Sequence, residues 1–208
     1  MIARRAAITS ALGLSSVALL AACHQVWKLD PQDLDMRGHL PDLAFTMTDA
    51  ATGKIVTAAD YRGKIVLLYF GYTNCPDVCP LTLYEMTKIL ASLGSKTKDV
   101  RFLFVTVDPL RDTLPVLAKY IGLYHTPEFI GLRGSNAELQ ALASRFHAGY
   151  SVHPSANPAD YTVTHTAAAY VFNRRGKAEF ICAGLSATSP DLAGIAKDLR
   201  HLIATDSI

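Results

Sequence analysis

The chain has 208 residues, 50% of them hydrophobic, which is enough apolar material for one sizeable core and favours one domain over two. Twenty basic residues against eighteen acidic ones leave a formal charge of +2. No cluster of Lys or Arg appears along the chain, so a nucleic-acid partner is excluded.

In chain order, Arg4 and Arg5 precede an uncharged stretch, Ala6 to Ala22, that ends Leu20-Ala21-Ala22-Cys23. A positive start, an apolar middle and small residues before a cleavage point describe an export leader. Cys directly after Leu-Ala-Ala resembles the bacterial lipoprotein signal, so residues 1–22 are expected to be removed and Cys23 acylated. An uncleaved anchor is disfavoured, because the stretch is shorter than the usual ~20-residue span and carries Thr9, Ser10, Ser15 and Ser16. The expected location is the bacterial cell envelope, lipid-anchored, with the domain on the periplasmic or extracytoplasmic side. Thiols there drift toward disulfides unless a metal, burial or a reductant protects them.

Residues 23–42, with Pro31, Gly38 and Pro41, show no sustained apolar periodicity and read as a tether. The domain is expected over 43–208. Leu43 to Thr48 and Lys54 to Thr57 predict an N-terminal β-hairpin around Asp49-Ala50-Ala51-Thr52-Gly53, followed by a buried strand from Lys64 to Phe70. A helix follows with Leu83, Met86, Leu90 and Leu93 on one face, then an apolar strand from Val100 to Val107. Helical spacing recurs in Leu114, Leu117, Ala118 and Ile121. It returns in Leu139, Leu142, Ala143 and Phe146, where Ser135 and Glu138 make a capping-box signature. Strands Ala167 to Asn173 and Ala178 to Ala183 flank the turn Arg174-Arg175-Gly176, and Ser189-Pro190 opens a last helix with Leu192, Ile195, Ala196 and Leu199 inside. A βαβ unit joined to ββα, with cysteines at the first strand-to-helix turn, predicts an α/β thioredoxin-like fold: a central mixed sheet flanked by helices.

The chemistry lies in Thr73-Asn74-Cys75-Pro76-Asp77-Val78-Cys79-Pro80, directly after the first long strand. Two thiols four residues apart, entering a helix, share one face and can hold a soft metal or close a disulfide. The helix start lowers a thiol pKa, and Pro76 and Pro80 stiffen the turn. Zinc would want four ligands, and the chain has no second Cys pair. Two thiolates and one imidazole suit copper. His165, just before the strand Ala167 to Asn173, is the candidate third ligand. His147 and His153 are the fallback, while His24, His39, His125 and His201 read as solvated. Asp108 and Asp112 bracket Arg111, either as an acidic docking edge for a partner or with Asp112 capping the next helix. Cys182 reads as a buried small hydrophobe.

Four strings carry a more specific likeness: Gly71 to Pro80, Val105-Thr106-Val107-Asp108-Pro109-Leu110-Arg111-Asp112-Thr113, Phe129-Ile130-Gly131-Leu132, and Tyr161 to Thr166. Together they resemble the Sco/SenC family over roughly Asp42 to Ala204. The resemblance implies that Cys75, Cys79 and His165 match that family's copper ligands. It implies as activity the assembly of the dinuclear copper centre of cytochrome c oxidase, with a copper-bearing oxidase subunit as partner and a periplasmic copper donor and a thiol reductant upstream. Family members usually carry an acid before the histidine, where this chain has Thr164; loss of that acid as an orienting group would weaken copper binding. The resulting expectation is a copper metallochaperone, not an enzyme in the turnover sense. The alternative is a thiol:disulfide oxidoreductase of the envelope using Cys75 and Cys79 as a redox pair; a peroxiredoxin-like peroxidase is a poor third.

Overall fold

The computed structural model describes residues 27–157 and 160–206. Strand β4 (Ile65–Gly71) is its centre, and all seven of its residues are buried, as a strand covered on both faces requires. Strand β5 (Val100–Thr106) runs parallel to β4, and β6 (Phe129–Arg133) parallel to β5. Antiparallel strands complete the sheet. On the β4 side lie β9 (Ala169–Phe172), β10 (Ala178–Cys182) and β1 (Asp33–Asp35); on the β6 side lie β2 (Thr46–Asp49) and β3 (Ile55–Thr57). The order is β1-β10-β9-β4-β5-β6-β2-β3. The expected hairpin is therefore β2–β3, joined to the sheet through β6.

Helices α1 (Val78–Ser92), α2 (Leu114–Gly122), α3 (Asn136–Arg145) and α4 (Leu192–Thr205) fall where the apolar spacing places them. Leu83, Met86, Leu90, Leu117, Leu139, Leu142, Ile195 and Leu199 are all buried. The capping box before α3 forms: the Glu138 N–H donates to Ser135 Oγ (3.3 Å), and the Ser135 N–H donates to Glu138 Oε2 (2.7 Å). Gly131 explains why β6 gives so little strand signal in the sequence. Glycine lowers strand propensity, yet a Cβ here would lie 2.9 Å from Leu117 Cγ, so α2 can pack only on a bare backbone.

A second departure is a two-stranded hairpin, β7 (Tyr150–His153) with β8 (Thr162–His165), outside the main sheet. His165 ends β8; it does not simply precede the next central strand. The polar stretch between the two strands hides the pairing from an apolar-pattern reading.

The tether reading needs correction from residue 27 onward, since residues 33–35 form an edge strand paired with β10. Trp27 donates from Nε1 to Asp198 Oδ1 (3.1 Å) and stacks on His201 (4.4 Å between rings), and the Asp30 N–H donates to Asp198 Oδ2 (2.7 Å). His201 is thus a packing partner of Trp27. Cys23 and His24 lie outside the described residues.

This docking should depend on pH. Asp33, on β1, is the register partner of Cys182 on β10 and accepts from its thiol (3.8 Å), and burial first, then Asp198, Asp30 and Asp191, push its carboxyl up to about 7 from 3.8. A group raised in the folded state stabilises it fully below the unfolded pKa, and the contribution is lost as pH rises through the folded one. Docking of residues 27–35 is therefore tightest below about pH 4 and weakens up to about pH 7. Trp27 is the chain's single tryptophan, so its emission maximum should shift red over that range. Asp33→Asn should flatten the profile; an identical shift in that variant would exclude Asp33 as the cause.

Candidate metal centre

Where β4 ends, Gly71 leaves room for a sulfur. A Cβ there would lie 2.7 Å from the Phe104 ring and 2.9 Å from Cys79 Sγ, so only glycine lets Cys79 approach the strand. A turn follows, closed by the Cys75 N–H donating to the Tyr72 carbonyl (3.2 Å). The expectation that both cysteines share a helix face is half right: Cys79 is the second residue of α1, but Cys75 lies in the turn before it. The contact arises differently, with the Cys79 N–H, one of the unpaired donors of the helix start, donating to Cys75 Sγ (3.5 Å).

From the opposite side, β8 brings in His165, whose Nε2 lies 3.2 Å from Cys79 Sγ. Ligand atoms of Cys75, Cys79 and His165 all fall within 4.8 Å of one another, the one such group among the described residues. His165 Nδ1 faces the Thr166 carbonyl (3.2 Å), a partner that takes Nδ1 as donor and aims Nε2 at the sulfurs. The rings of Tyr69 and Tyr72 meet the imidazole edge-on at 5.9 and 5.8 Å and limit its rotation. Thr164 Oγ1 pairs instead with His153 Nε2 (3.0 Å), so the imidazole is oriented by a backbone carbonyl and not by the side chain before it. His147 and His153 are exposed and stand outside the ligand group.

The two sulfurs are electrostatically unlike. The Cys75 thiol is pulled down to about 3, first by the hydrogen bond from the Cys79 thiol, then by His165 and the backbone N–H groups of Asp77 and Cys79, against the opposing effect of burial. Burial, and then the Cys75 thiolate beside it, push Cys79 well above the ordinary thiol range. Cys75 is thus the resident thiolate, and Cys79 surrenders its proton when a metal replaces it. With Cys79 fully buried, Cys75 nearly so and His165 half-buried, two sulfurs and one nitrogen converge in a largely buried site. Such a donor set suits a soft or borderline metal. Cys182 is free and buried away from the site, as expected.

Neither reading of Asp108 and Asp112 survives. Asp108 is buried, accepting from Arg111 Nε and the Tyr161 hydroxyl. Asp112 is fully buried and does not cap α2, whose N-cap is Thr113; its carboxylate accepts from Thr73 and Thr106. The spacing of acids along the chain cannot reveal such partners, because Thr73 comes from a different loop.

Comparison with known proteins agrees with this geometry. The SCO1/SenC family model matches residues 39–203, and the chain belongs to that family. Human mitochondrial SCO1 homolog is 36% identical over 179 residues, 82% of this chain and 58% of that protein. The chain spans about half the length of the curated relatives it matches. Among solved structures, copper-bound ScoI of Bradyrhizobium japonicum is 33% identical with a TM-score of 0.67, covering 77% of this chain and 98% of that one. Copper-bound yeast Sco1 is 28% identical with a TM-score of 0.69, covering 79% and 90%. The fold is the thioredoxin-like fold of these Sco proteins.

Proposed function

We propose that the protein is a copper chaperone in cytochrome c oxidase assembly, binding copper through Cys75, Cys79 and His165 and passing it to the dinuclear copper centre of the oxidase. The observation that carries the reading is the approach of His165 Nε2 to Cys79 Sγ at 3.2 Å from a separate hairpin. A thiol reductase needs the two sulfurs but not the imidazole, whereas a copper site needs all three. The copper-bound relatives support the metal reading. Lipid attachment at Cys23, on the outer side of a bacterial membrane, is part of the proposal and rests on Leu20-Ala21-Ala22-Cys23.

Oxidase activity at low copper, in cells lacking the protein and supplied with variants, tests this. His165→Ala should fail as completely as Cys75→Ser or Cys79→Ser. Full rescue by His165→Ala, with none by the cysteine variants, would replace the chaperone by the thiol:disulfide oxidoreductase. In the same cells Cys23→Ser should lose its partition with membranes.

A further inference from the structure

We propose that Asp112 is the positioning residue of the copper site, its carboxylate fixing Thr73 and through it the turn that presents Cys75. The inference rests on the copper reading of the three-ligand set. Three donors converge on this fully buried carboxylate: the Thr73 N–H (3.0 Å) and the Thr106 hydroxyl (2.5 Å) on Oδ2, and the Thr73 hydroxyl (2.6 Å) on Oδ1. Thr106 ends β5, and Thr73 is the first inner residue of the turn that the Cys75 N–H closes on Tyr72. Both oxygens of Asp112 thus grip one residue, two positions before a ligand.

The same loop also braces the other half of the site. The Asp112 N–H donates to the Asp108 carbonyl (2.9 Å), and Asp108 holds Arg111 and the Tyr161 hydroxyl. Arg111 donates from a terminal nitrogen to the Tyr161 carbonyl (2.9 Å), directly before β8, which carries His165. Residues 108–112 therefore link the cysteine turn to the histidine strand. A metal site tolerates ligand displacements of only about 0.5 Å, so slack in this link should appear at the metal before it appears in the fold.

Two properties of the purified chain test the proposal. One is Cu(I) affinity by competition with a chelator. The other needs no metal: the equilibrium with glutathione, in which Cys75 and Cys79 pass two electrons to glutathione disulfide, form their own S–S bond and release two glutathione thiols. In Asp112→Ala, copper affinity should fall about 10–100-fold, the range for loss of a group that orients ligands. Disulfide formation should become less favourable by about 10-fold as the sulfurs lose their fixed approach. Asp112→Asn, which keeps a planar group able to meet Thr73 and Thr106, should recover most of both.

Unchanged copper affinity and glutathione equilibrium in folded Asp112→Ala would overturn the proposal, as would equal damage from Asn, which would point to charge and not position. Should Asp112→Ala fail to fold, Thr73→Ala, at a half-buried position, must lower both quantities, and wild-type values there would be equally fatal. If the wild type itself binds no copper, the copper reading fails, while the glutathione measurement still decides whether Asp112 positions Cys75.

Discussion

Removing the imidazole of His165 should lower the affinity of the reduced chain for Cu(I) by at least about 100-fold, the upper end of the cost of losing a mere orienting partner. Among the described residues the ligand set has three members and no reserve. His147 and His153 are exposed and outside the group, and Thr164 is engaged with His153, so an alanine at 165 leaves two sulfurs and an opening toward solvent. Cys75→Ser and Cys79→Ser should each cost at least as much, since a hydroxyl neither ionises in this range nor matches a soft metal. They should differ in secondary effects. Cys75→Ser also removes the thiolate that accepts the helix-start N–H, whereas Cys79→Ser puts a smaller, polar group into a fully buried space beside Gly71 and Phe104. Chelator competition on the three variants, with melting curves to confirm folding, measures this; wild-type affinity in His165→Ala would move the third ligand elsewhere.

The parts of this site that are legible in sequence are those written in local pattern. Cys75 and Cys79 stand next to an all-apolar strand, and the strand's continuous burial and the helix spacing after it follow from the same short string. Apart from the family resemblance, His165 stands out through its place before another apolar strand, and that reasoning puts it in the wrong element, since it ends β8. The two strands of the β7–β8 hairpin that carries it are only four residues each, with Val163 buried and most of the rest exposed, so their alternation is too short to stand out from the polar stretch between them. The role of Asp112 stays hidden for a related reason. Its meaning depends on Thr73, 39 residues away, and only the closed sheet brings the end of β4 beside the end of β5. The tether misleads for the converse reason: a short, polar edge strand such as Asp33–Asp35 has no periodicity of its own and is defined by its partner, β10.

Oxidation of the Cys75–Cys79 pair should abolish copper binding, and reduction should restore it fully. Both sulfurs are free thiols whose atoms lie within 4.8 Å, and a disulfide at ~2.05 Å asks for a modest closure of a turn that precedes a rigid helix. The asymmetry of the pair sets the route. Cys75, held as thiolate with its pKa down at about 3 and the less buried of the two, is the sulfur that meets an external disulfide; fully buried Cys79 then attacks the mixed disulfide and closes the pair. Two electrons leave for the oxidant, whose S–S bond breaks to two thiols or thiolates, and the one proton of the pair, that of Cys79, passes to a departing thiolate. The product offers a metal neither thiolate, and His165 alone is not a site. Bound copper should in turn slow this oxidation, because it occupies the lone pairs that must attack. Copper per chain after full oxidation, after reduction, and in a Cys75→Ser control measures the gating. Equal copper uptake by the fully oxidised and reduced chains would remove Cys75 and Cys79 from the copper site and with them the chaperone reading, leaving the reductase reading, which needs only the redox pair.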